Sequence, residues 1–119
     1  MSLVARYLEQ QGLPTVIIGS ALDIVQHCGV PRYLHVDFPL GNPCGKPFDR
    51  DMQRRIVTQG LTLLEKADTA GALEYSAENW GSDTWRDQYM EISDANREEL
   101  KRKGEELRAR RATRQPRDL

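Results

Sequence analysis

The first residues of the chain have the hydrophobic pattern of an amphipathic helix. The i, i+1, i+4, i+5 spacing of one helical face is carried by Leu3, Val4, Tyr7 and Leu8. Ser2 is in position to cap this helix, and Gly12 followed by Pro14 ends it. The pattern therefore predicts a first helix of about two to three turns.

Two short apolar runs that follow predict neighbouring strands of a sheet. Residues 15–18 are β-branched throughout, and residues 33–38 form a second apolar run. Between them, residues 21–28 have helical spacing, with Ser20 as a candidate N-cap, Asp23 as its capping-box partner and Gly29 at the end. A strand, a helix and a strand in this order predict a right-handed βαβ unit with two parallel, adjacent strands.

A loop rich in proline and glycine separates the second strand from a third helix. Residues 39–47 contain three prolines and two glycines, which excludes a helix or a central strand. Asp49 is the expected N-cap of the helix that follows, which we expect to end between Ala67 and Gly71. One face of this helix is apolar and consists of Met52, Ile56, Val57, Leu61 and Leu64.

The last third of the chain has the pattern of one long charged helix. Residues 72–83 are ambiguous, but from Thr84 to Arg111 a narrow apolar stripe runs along a single predicted helix, with Trp85, Tyr89, Ile92, Leu100 and Leu107. Such a stripe can pack against the same stripe of another copy of the chain, so the sequence predicts a homo-oligomer formed through residues 84–111.

The predicted fold class is α/β. We expect a small parallel βαβ sheet, half of a Rossmann-like fold, flanked by helices and followed by a long C-terminal helix. The predicted organisation is a βαβ-α domain in residues 1–71, a helical extension in residues 72–112 and a disordered tail in residues 113–119.

Composition and charge predict a soluble cytoplasmic protein. Hydrophobic residues make up 39% and charged residues 29% of the 119 positions, and the apolar runs are too short to cross a bilayer. The net charge of −1 is unevenly distributed along the chain. From Arg97 onward there are nine Lys/Arg and five Asp/Glu, so this end is basic and the preceding residues are acidic. The charges in this basic end are mixed and no aromatic residue lies among them, which favours a solvated helix over nucleic-acid binding.

The proline-glycine loop contains the residues that we predict to form a site. Its glycines allow backbone N–H groups to approach an anion, and Lys46 adds charge at the carboxyl end of a strand. The predicted ligand-binding residues are Ser20, Gly41, Asn42, Gly45 and Lys46. Cys44 is the candidate catalytic residue, because an adjacent ammonium lowers the pKa of a thiol. The alternatives are a rigid connection and a bystander thiol.

The remaining cysteine and the two histidines predict no metal site. His27, Cys28, His35 and Cys44 are separated by one, seven and nine positions, which matches none of the common zinc patterns. Cys28, at a predicted helix end, is expected to be a structural thiol. We predict no cofactor from these residues.

Five short motifs occur in one order between residues 3 and 66. They are Gly12-Leu13-Pro14-Thr15-Val16, Ser20-Ala21-Leu22-Asp23-Ile24, Gly29-Val30-Pro31-Arg32, Pro39-Leu40-Gly41-Asn42-Pro43 and Gln53-Arg54-Arg55-Ile56-Val57. In these motifs the sequence resembles the C-terminal part of the glycine/sarcosine/betaine reductase selenoprotein B family and its cysteine-containing relatives. The resemblance covers a little over half of the chain and leaves the C-terminal helix outside.

The resemblance implies an oxidoreductase component. Members of that family reductively cleave a C–N bond, with a selenocysteine or cysteine in a cysteine-rich turn just before the helix that corresponds to residues 3–10. That turn is absent ahead of Leu3. The resemblance therefore implies an accessory or truncated subunit, inactive alone, with a separate Cys-rich redox subunit as its partner. The alternative is a non-catalytic module that oligomerises through residues 84–111.

Overall fold

A parallel three-stranded sheet forms the centre of the chain, in a computed structural model that describes residues 1–88 and 92–112. The helices and strands, in chain order, are α1 Ser2–Gln10, β1 Ile17–Gly19, α2 Leu22–Cys28, β2 Arg32–His35, α3 Arg50–Lys66, β3 Ala72–Tyr75, α4 Thr84–Gln88 and α5 Asp94–Ala112. The strands lie in the order β1-β2-β3, with Ile17 opposite Tyr33 and Arg32 opposite Ala72. The predicted α/β class and the parallel pairing of the first two strands are confirmed.

The two faces of the sheet bury different apolar clusters. On one side, α3 packs its Met52, Ile56 and Leu63 against Leu34, Val36 and Phe38. On the other side, Val25 and Val30 pack against Tyr33. Because successive side chains of a strand point to opposite faces, Tyr33 and Leu34 contribute to opposite clusters.

The buried face of α3 differs in part from the predicted one. Met52 and Ile56 are buried as expected, and Gly60 and Leu63 continue that face at helical spacing. Val57 and Leu61, which we expected on the same face, are 42% and 54% exposed. At Gly60 this face packs closely on β1, since a Cβ there would lie 2.9 Å from the Ile18 Cδ1 atom.

Helix α1 turns its apolar face away from the rest of the chain. Leu3 and Tyr7 are 70% and 61% exposed, and Ala5 is the buried residue of the helix. An amphipathic helix of a globular protein usually places its apolar stripe on the core. Here the inward side combines the small Ala5 with Glu9, which accepts hydrogen bonds from the Arg32 guanidinium and the Thr15 backbone N–H, both at 2.8 Å.

Helix caps were predicted correctly at one of three positions. Asp49 caps α3, accepting a hydrogen bond from the Met52 N–H at 3.0 Å. Ser2 lies inside α1, whose N-cap is Met1, and Ser20 precedes Ala21, the N-cap of α2. Neither Met1 nor Ala21 caps its helix with a side chain. The helix starts lie one residue away from the polar side chains, so the two predicted serine caps are wrong.

The ambiguous region after α3 contains the third strand. Ala72–Tyr75 pairs with β2, and the backbone N–H groups of Gly71 and Ala72 both donate to Pro31 O at the start of this pairing. Glu74 and Tyr75 are exposed. A four-residue edge strand with polar and exposed positions lacks the apolar run by which the first two strands were recognised.

The long C-terminal helix is confirmed as a feature of the fold, but it begins later than predicted. Helix α4 ends at Gln88, and Ile92 and Ser93 are non-helical ahead of α5. The Asn96 side chain accepts a hydrogen bond from the Ser93 N–H at 2.9 Å, which is half of a capping box. Asn96 thus satisfies one backbone N–H group at the start of α5.

The chain divides into two compact units, Met1–Arg86 and Asp87–Leu119. The sheet and α1 to α3 belong to the first unit, and α5 belongs to the second. The predicted disordered tail, residues 113–119, lies outside the described residues, as does Tyr89 of the predicted stripe. Across the described ranges, no helix combines the length and the apolar character that crossing a membrane requires.

Candidate functional site

A cleft of about 340 Å³ opens at the carboxyl edge of the sheet. Ser20 directly follows β1, and Asp37 lies two residues after β2. The carboxyl ends of parallel strands lie at one edge of the sheet, and the loops that leave them make room for ligands. The cleft is lined by Ser20, Ala21, Asp23, Ile24, Asp37, Phe38, Leu40, Trp85 and Arg86.

Arg86 provides the positive charge of this cleft. Its guanidinium forms an ion pair with Asp37 and a longer one, at 3.5 Å, with Asp83. The guanidinium carbon also lies 4.6 Å from the centroid of the Trp85 ring, which is a cation–π distance. The hydrogen bond with Asp37 raises the pKa of Arg86 above its ordinary value, so this side chain stays charged.

The negative charges exceed the positive one. Asp23 is exposed and has no ion-pair partner within residues 1–88 and 92–112. Two carboxylates and one guanidinium give the lining a formal charge of −1. The rest of the wall is apolar and consists of Ile24, Phe38, Leu40 and Trp85. This combination suits a small ligand with an amine, a carboxylate and an apolar body.

Tyr33 of β2 links its strand to β1 through its side-chain hydroxyl. Its hydroxyl donates a hydrogen bond to Gly19 O at 2.7 Å and lies 3.3 Å from Nδ1 of His35. Burial, with smaller contributions from Asp23 and Tyr75, raises the pKa of Tyr33 to about 12. The hydroxyl therefore stays protonated and holds the end of β1 against β2.

The structure places only one of the predicted ligand-binding residues in the lining of the cleft. Ser20 is half-buried there, and Leu40 joins it from the proline-glycine loop. Gly41, Asn42, Gly45 and Lys46 do not line it. Their proposed role in ligand binding stays a prediction.

The backbone of the proline-glycine loop is engaged in its own turns. Asn42 N–H donates to Pro39 O, and Gly45 N–H donates to Asn42 O, both at 3.1 Å. Gly45 has a φ of 107° and is buried, and a Cβ there would lie 3.0 Å from atoms of Met52. An anion at these two N–H groups would have to replace the internal hydrogen bonds.

Cys44 and Lys46 have different surroundings in the structure. The Cys44 thiol is exposed, and within the described parts of the chain it makes no hydrogen bond. The Lys46 ammonium lies 6.0 Å from the centroid of the Trp80 ring and close to Gly81. The catalytic role of Cys44 stays a prediction. Among the described residues, no three His, Cys, Asp or Glu side chains are grouped as a metal site would require.

A second cleft, of about 560 Å³, opens at the amino ends of the strands. Arg6, Glu9, Arg32 and Asp68 are its charged lining residues. Glu9 already pairs with Arg32 at 2.8 Å, and the hydrogen bond with Arg32 holds the pKa of Glu9 below its ordinary value. We prefer the carboxyl-edge cleft as the candidate site, because ligands of parallel sheets bind beyond the carboxyl ends of the strands.

Three charged residues of the candidate site were missed in the sequence. Asp37 is the next-to-last residue of the predicted second strand, and Asp23 lies in the first turn of the helix after β1, so the strand-end rule could have identified both. Arg86 lies 49 positions from Asp37. No spacing in the sequence connects them, because only the folding of α4 toward the sheet brings this guanidinium to the cleft.

Comparison with known proteins gives one informative relative. The chain is 34% identical over 71 residues to the D-proline reductase subunit gamma of Acetoanaerobium sticklandii, a match that covers 60% of this chain and 29% of the relative. The chain thus spans less than a third of the length of that protein. No family model matches the chain, and no solved structure matches it.

The relative confirms the coarser part of the resemblance found in the sequence. Over the matched residues the chain is related to a reductase subunit. That relative is a D-proline reductase subunit, so a relationship to the selenoprotein B family in particular remains a proposal.

Proposed function

We propose that this chain is an accessory subunit of a reductase that acts on amino acids or their N-methylated relatives. The observation that carries the proposal is the cleft at the carboxyl edge of the sheet, in a chain related to a D-proline reductase subunit. Such a subunit would hold the substrate, while another polypeptide, related to the Cys-rich part of the selenoprotein B family, would supply the nucleophile.

The charges of the cleft support an amino acid as the ligand. The Arg86 guanidinium would bind the carboxylate by exchanging its partner Asp37 for the ligand. The carboxylates of Asp23 and the released Asp37 would accept hydrogen bonds from the ammonium group. Phe38 and Trp85 would contact the apolar part of the ligand. The formal charge of −1 of the lining favours a ligand whose amine is protonated.

The state of the thiols supports a nucleophile on another chain. Reductive cleavage of a C–N bond needs an activated thiolate or selenolate and a resolving partner. Cys44 is exposed without a hydrogen-bonded base in the described residues, and Cys28 is half-buried at the end of α2. Both thiols are free, which suits a reducing compartment, and we propose the cytoplasm.

Binding of D-proline tests the ligand proposal. We expect chemical-shift changes on titration with D-proline at Ser20 and Arg86, and at least tenfold weaker binding in Arg86→Gln and Asp23→Asn. Arg54→Gln, an exposed arginine on α3, is the matched control and should bind as the wild type does. Betaine, which has no N–H group, should bind more weakly than proline. Equal affinity in all variants, or no binding at millimolar D-proline, would contradict the proposal.

Turnover assays test whether the nucleophile is supplied by another chain. With a dithiol as electron donor, we expect no reduction of glycine, sarcosine, betaine or proline by the purified chain. Turnover that is present in the wild type and lost in Cys44→Ser would show that Cys44 is the nucleophile. Turnover that arises only when a Cys-rich partner chain is added would support the accessory role.

The alternative function is a non-catalytic module that oligomerises through residues 84–111. The observation in its favour is that Leu100 and Leu107 of α5 are 45% and 52% exposed. Sedimentation of Leu107→Glu beside the wild type tests it, because an apolar seam would not tolerate the charge.

A further inference from the structure

The cleft of about 560 Å³ at the amino ends of the strands contains two guanidinium groups. Arg6 comes from α1, and Arg32 is the first residue of β2. Glu9 and Gln10 follow Arg6 at the i+3 and i+4 positions, on the same side of α1, and they also line this amino-end cleft. The volume of the cleft is within the range of small-molecule sites in proteins.

The Arg32 guanidinium is only partly satisfied by the protein. Its Nη1 atom donates to Glu9 Oε1 at 2.8 Å, and the side chain is only 14% exposed. The Nε atom is buried and makes no hydrogen bond to any described residue, and Nη2 makes none to these residues either. A buried N–H group without an acceptor is unfavourable, so this edge of the guanidinium suits an acceptor that comes from a ligand.

Arg55 shows what the same edge of a guanidinium binds in this protein. Its Nε and Nη2 atoms donate to the two carboxylate oxygens of Glu78, at 2.6 and 2.9 Å. Two parallel hydrogen bonds of this kind are both stronger and more specific for a carboxylate than a single one. The corresponding atoms of Arg32 have no acceptor in residues 1–88 and 92–112, so this edge matches one further carboxylate group.

Arg6 supplies a second positive group, whose charge is not neutralised by an ion pair. Its guanidinium is exposed and donates to the uncharged Cys28 O at 3.1 Å, and it forms no ion pair with any residue that the structure describes. The two arginines balance Glu9 and Asp68, so the lining has a formal charge of zero. A ligand group with one negative charge therefore fits better than a phosphate dianion, which the two carboxylates would repel.

We propose that the amino-end cleft is a second ligand site, which binds a small molecule through a carboxylate group held between Arg6 and Arg32. The carboxylate approaches Nη2 of Arg32 from the cleft, and Nε donates to its second oxygen when the guanidinium turns toward the ligand. Glu9 keeps its hydrogen bond with Nη1. This site lies at the opposite end of the strands from the cleft that contains Arg86, and it does not depend on the function proposed for that cleft.

Titration of the full chain with acetate tests the site. Sodium acetate replaces sodium chloride at constant ionic strength, and the amide chemical shifts report on each cleft separately. We expect saturable shifts at Val30, Arg32 and Gly71, which line the amino-end cleft. Inorganic phosphate at neutral pH should bind there more weakly than acetate, because its second charge is repelled.

Two arginine variants test the binding mode. Arg6→Gln removes the unpaired charge, and Arg32→Lys keeps a charge beside Glu9 but lacks the edge with two donors. Each should bind acetate at least fivefold more weakly, with amide spectra that are otherwise those of the folded wild type. Arg54→Gln, which removes an exposed arginine from α3, is the matched control and should bind acetate as the wild type does.

The two clefts can fail independently in these experiments. Arg86→Gln should bind acetate in the amino-end cleft as the wild type does, and Arg6→Gln should leave the response of Ser20 to D-proline unchanged. Four results would each overturn the proposal: shifts that do not saturate, phosphate that binds as tightly as acetate, wild-type affinity in Arg32→Lys, or wild-type affinity in Arg6→Gln.

Discussion

Helices α3 and α1 both carry an apolar face, but they present it to different surroundings. Helix α3 buries Met52, Ile56 and Leu63 against the sheet. Helix α1 buries Ala5, exposes Leu3 and Tyr7, and directs Glu9 inward to Arg32. Hydrophobic spacing thus identifies a helix and its apolar side. Whether that side packs on the sheet depends on the contacts that the polar side of the helix makes.

The largest difference between the two helices should be the loss of stability when one apolar side chain of each is cut back to alanine. Ile56→Ala on α3 removes a side chain that is 0% exposed, and we expect the free energy of unfolding to fall by about 3 kcal/mol. Leu3→Ala on α1 should change it by less than about 0.5 kcal/mol. Urea unfolding of the two variants beside the wild type compares these losses. Equal losses would mean that α1 packs inward.

The close packing between α3 and β1 should make the protein sensitive to one added carbon at position 60. In Gly60→Ala the new Cβ lies 2.9 Å from Cδ1 of Ile18, and we expect a loss of roughly 1 to 2 kcal/mol after the gain in helix propensity. The control is Gly104→Ala in α5, where nothing lies within 4 Å. There the helix content measured by circular dichroism should rise. A Gly60→Ala variant more stable than the wild type would show that Ile18 shifts at no cost.

The caps of the two helices provide a smaller contrast. Asp49 accepts the Met52 N–H at the start of α3, whereas no side chain caps α1. Asp49→Ala should therefore lower the free energy of unfolding by about 1 kcal/mol. Ser2→Ala should leave it unchanged, because Ser2 lies inside α1. The same urea titration measures both, and a loss in Ser2→Ala would restore the serine as a cap.

The polar anchor of α1 should produce the smallest effect, as a pH dependence. The hydrogen bond from Arg32 holds the pKa of Glu9 below 4.5, so its contribution to stability is present above that pH and is lost as the pH falls through the folded value. We expect Glu9→Gln to lose under about 1 kcal/mol at neutral pH and to depend less on pH below 4.5 than the wild type.

The control for this pH dependence is an exposed glutamate on α3. Glu65 has no ion-pair partner in the described ranges, and Glu65→Gln should follow the wild-type curve. If Glu9→Gln shows the acid sensitivity of the wild type, Glu9 does not anchor α1 in solution.

The candidate site was predictable only in its location. The parallel order of the strands and the position of their carboxyl ends were evident from the runs at 15–18 and 33–38, and Ser20 was expected at that edge. The proline-glycine loop was expected to contribute its glycines and Lys46, but the N–H groups of Asn42 and Gly45 are used in internal turns. The charge opposite Asp37 comes from Arg86, which lies in α4, after two further elements of the chain, α3 and β3.

The sequence by itself determined the local structure of this protein. β-branched runs, glycines and prolines specify where strands and turns lie through steric restriction of single residues, although β1 and β2 end at other residues than the runs did. Asp49 specifies a helix start through one local hydrogen bond. Tertiary structure alone decided the orientation of α1, the third strand and the pairing of Arg86 with Asp37. The physical reason is the separation of the residues along the chain. These features depend on contacts between distant residues, and such contacts stabilise the protein only once the sheet has formed.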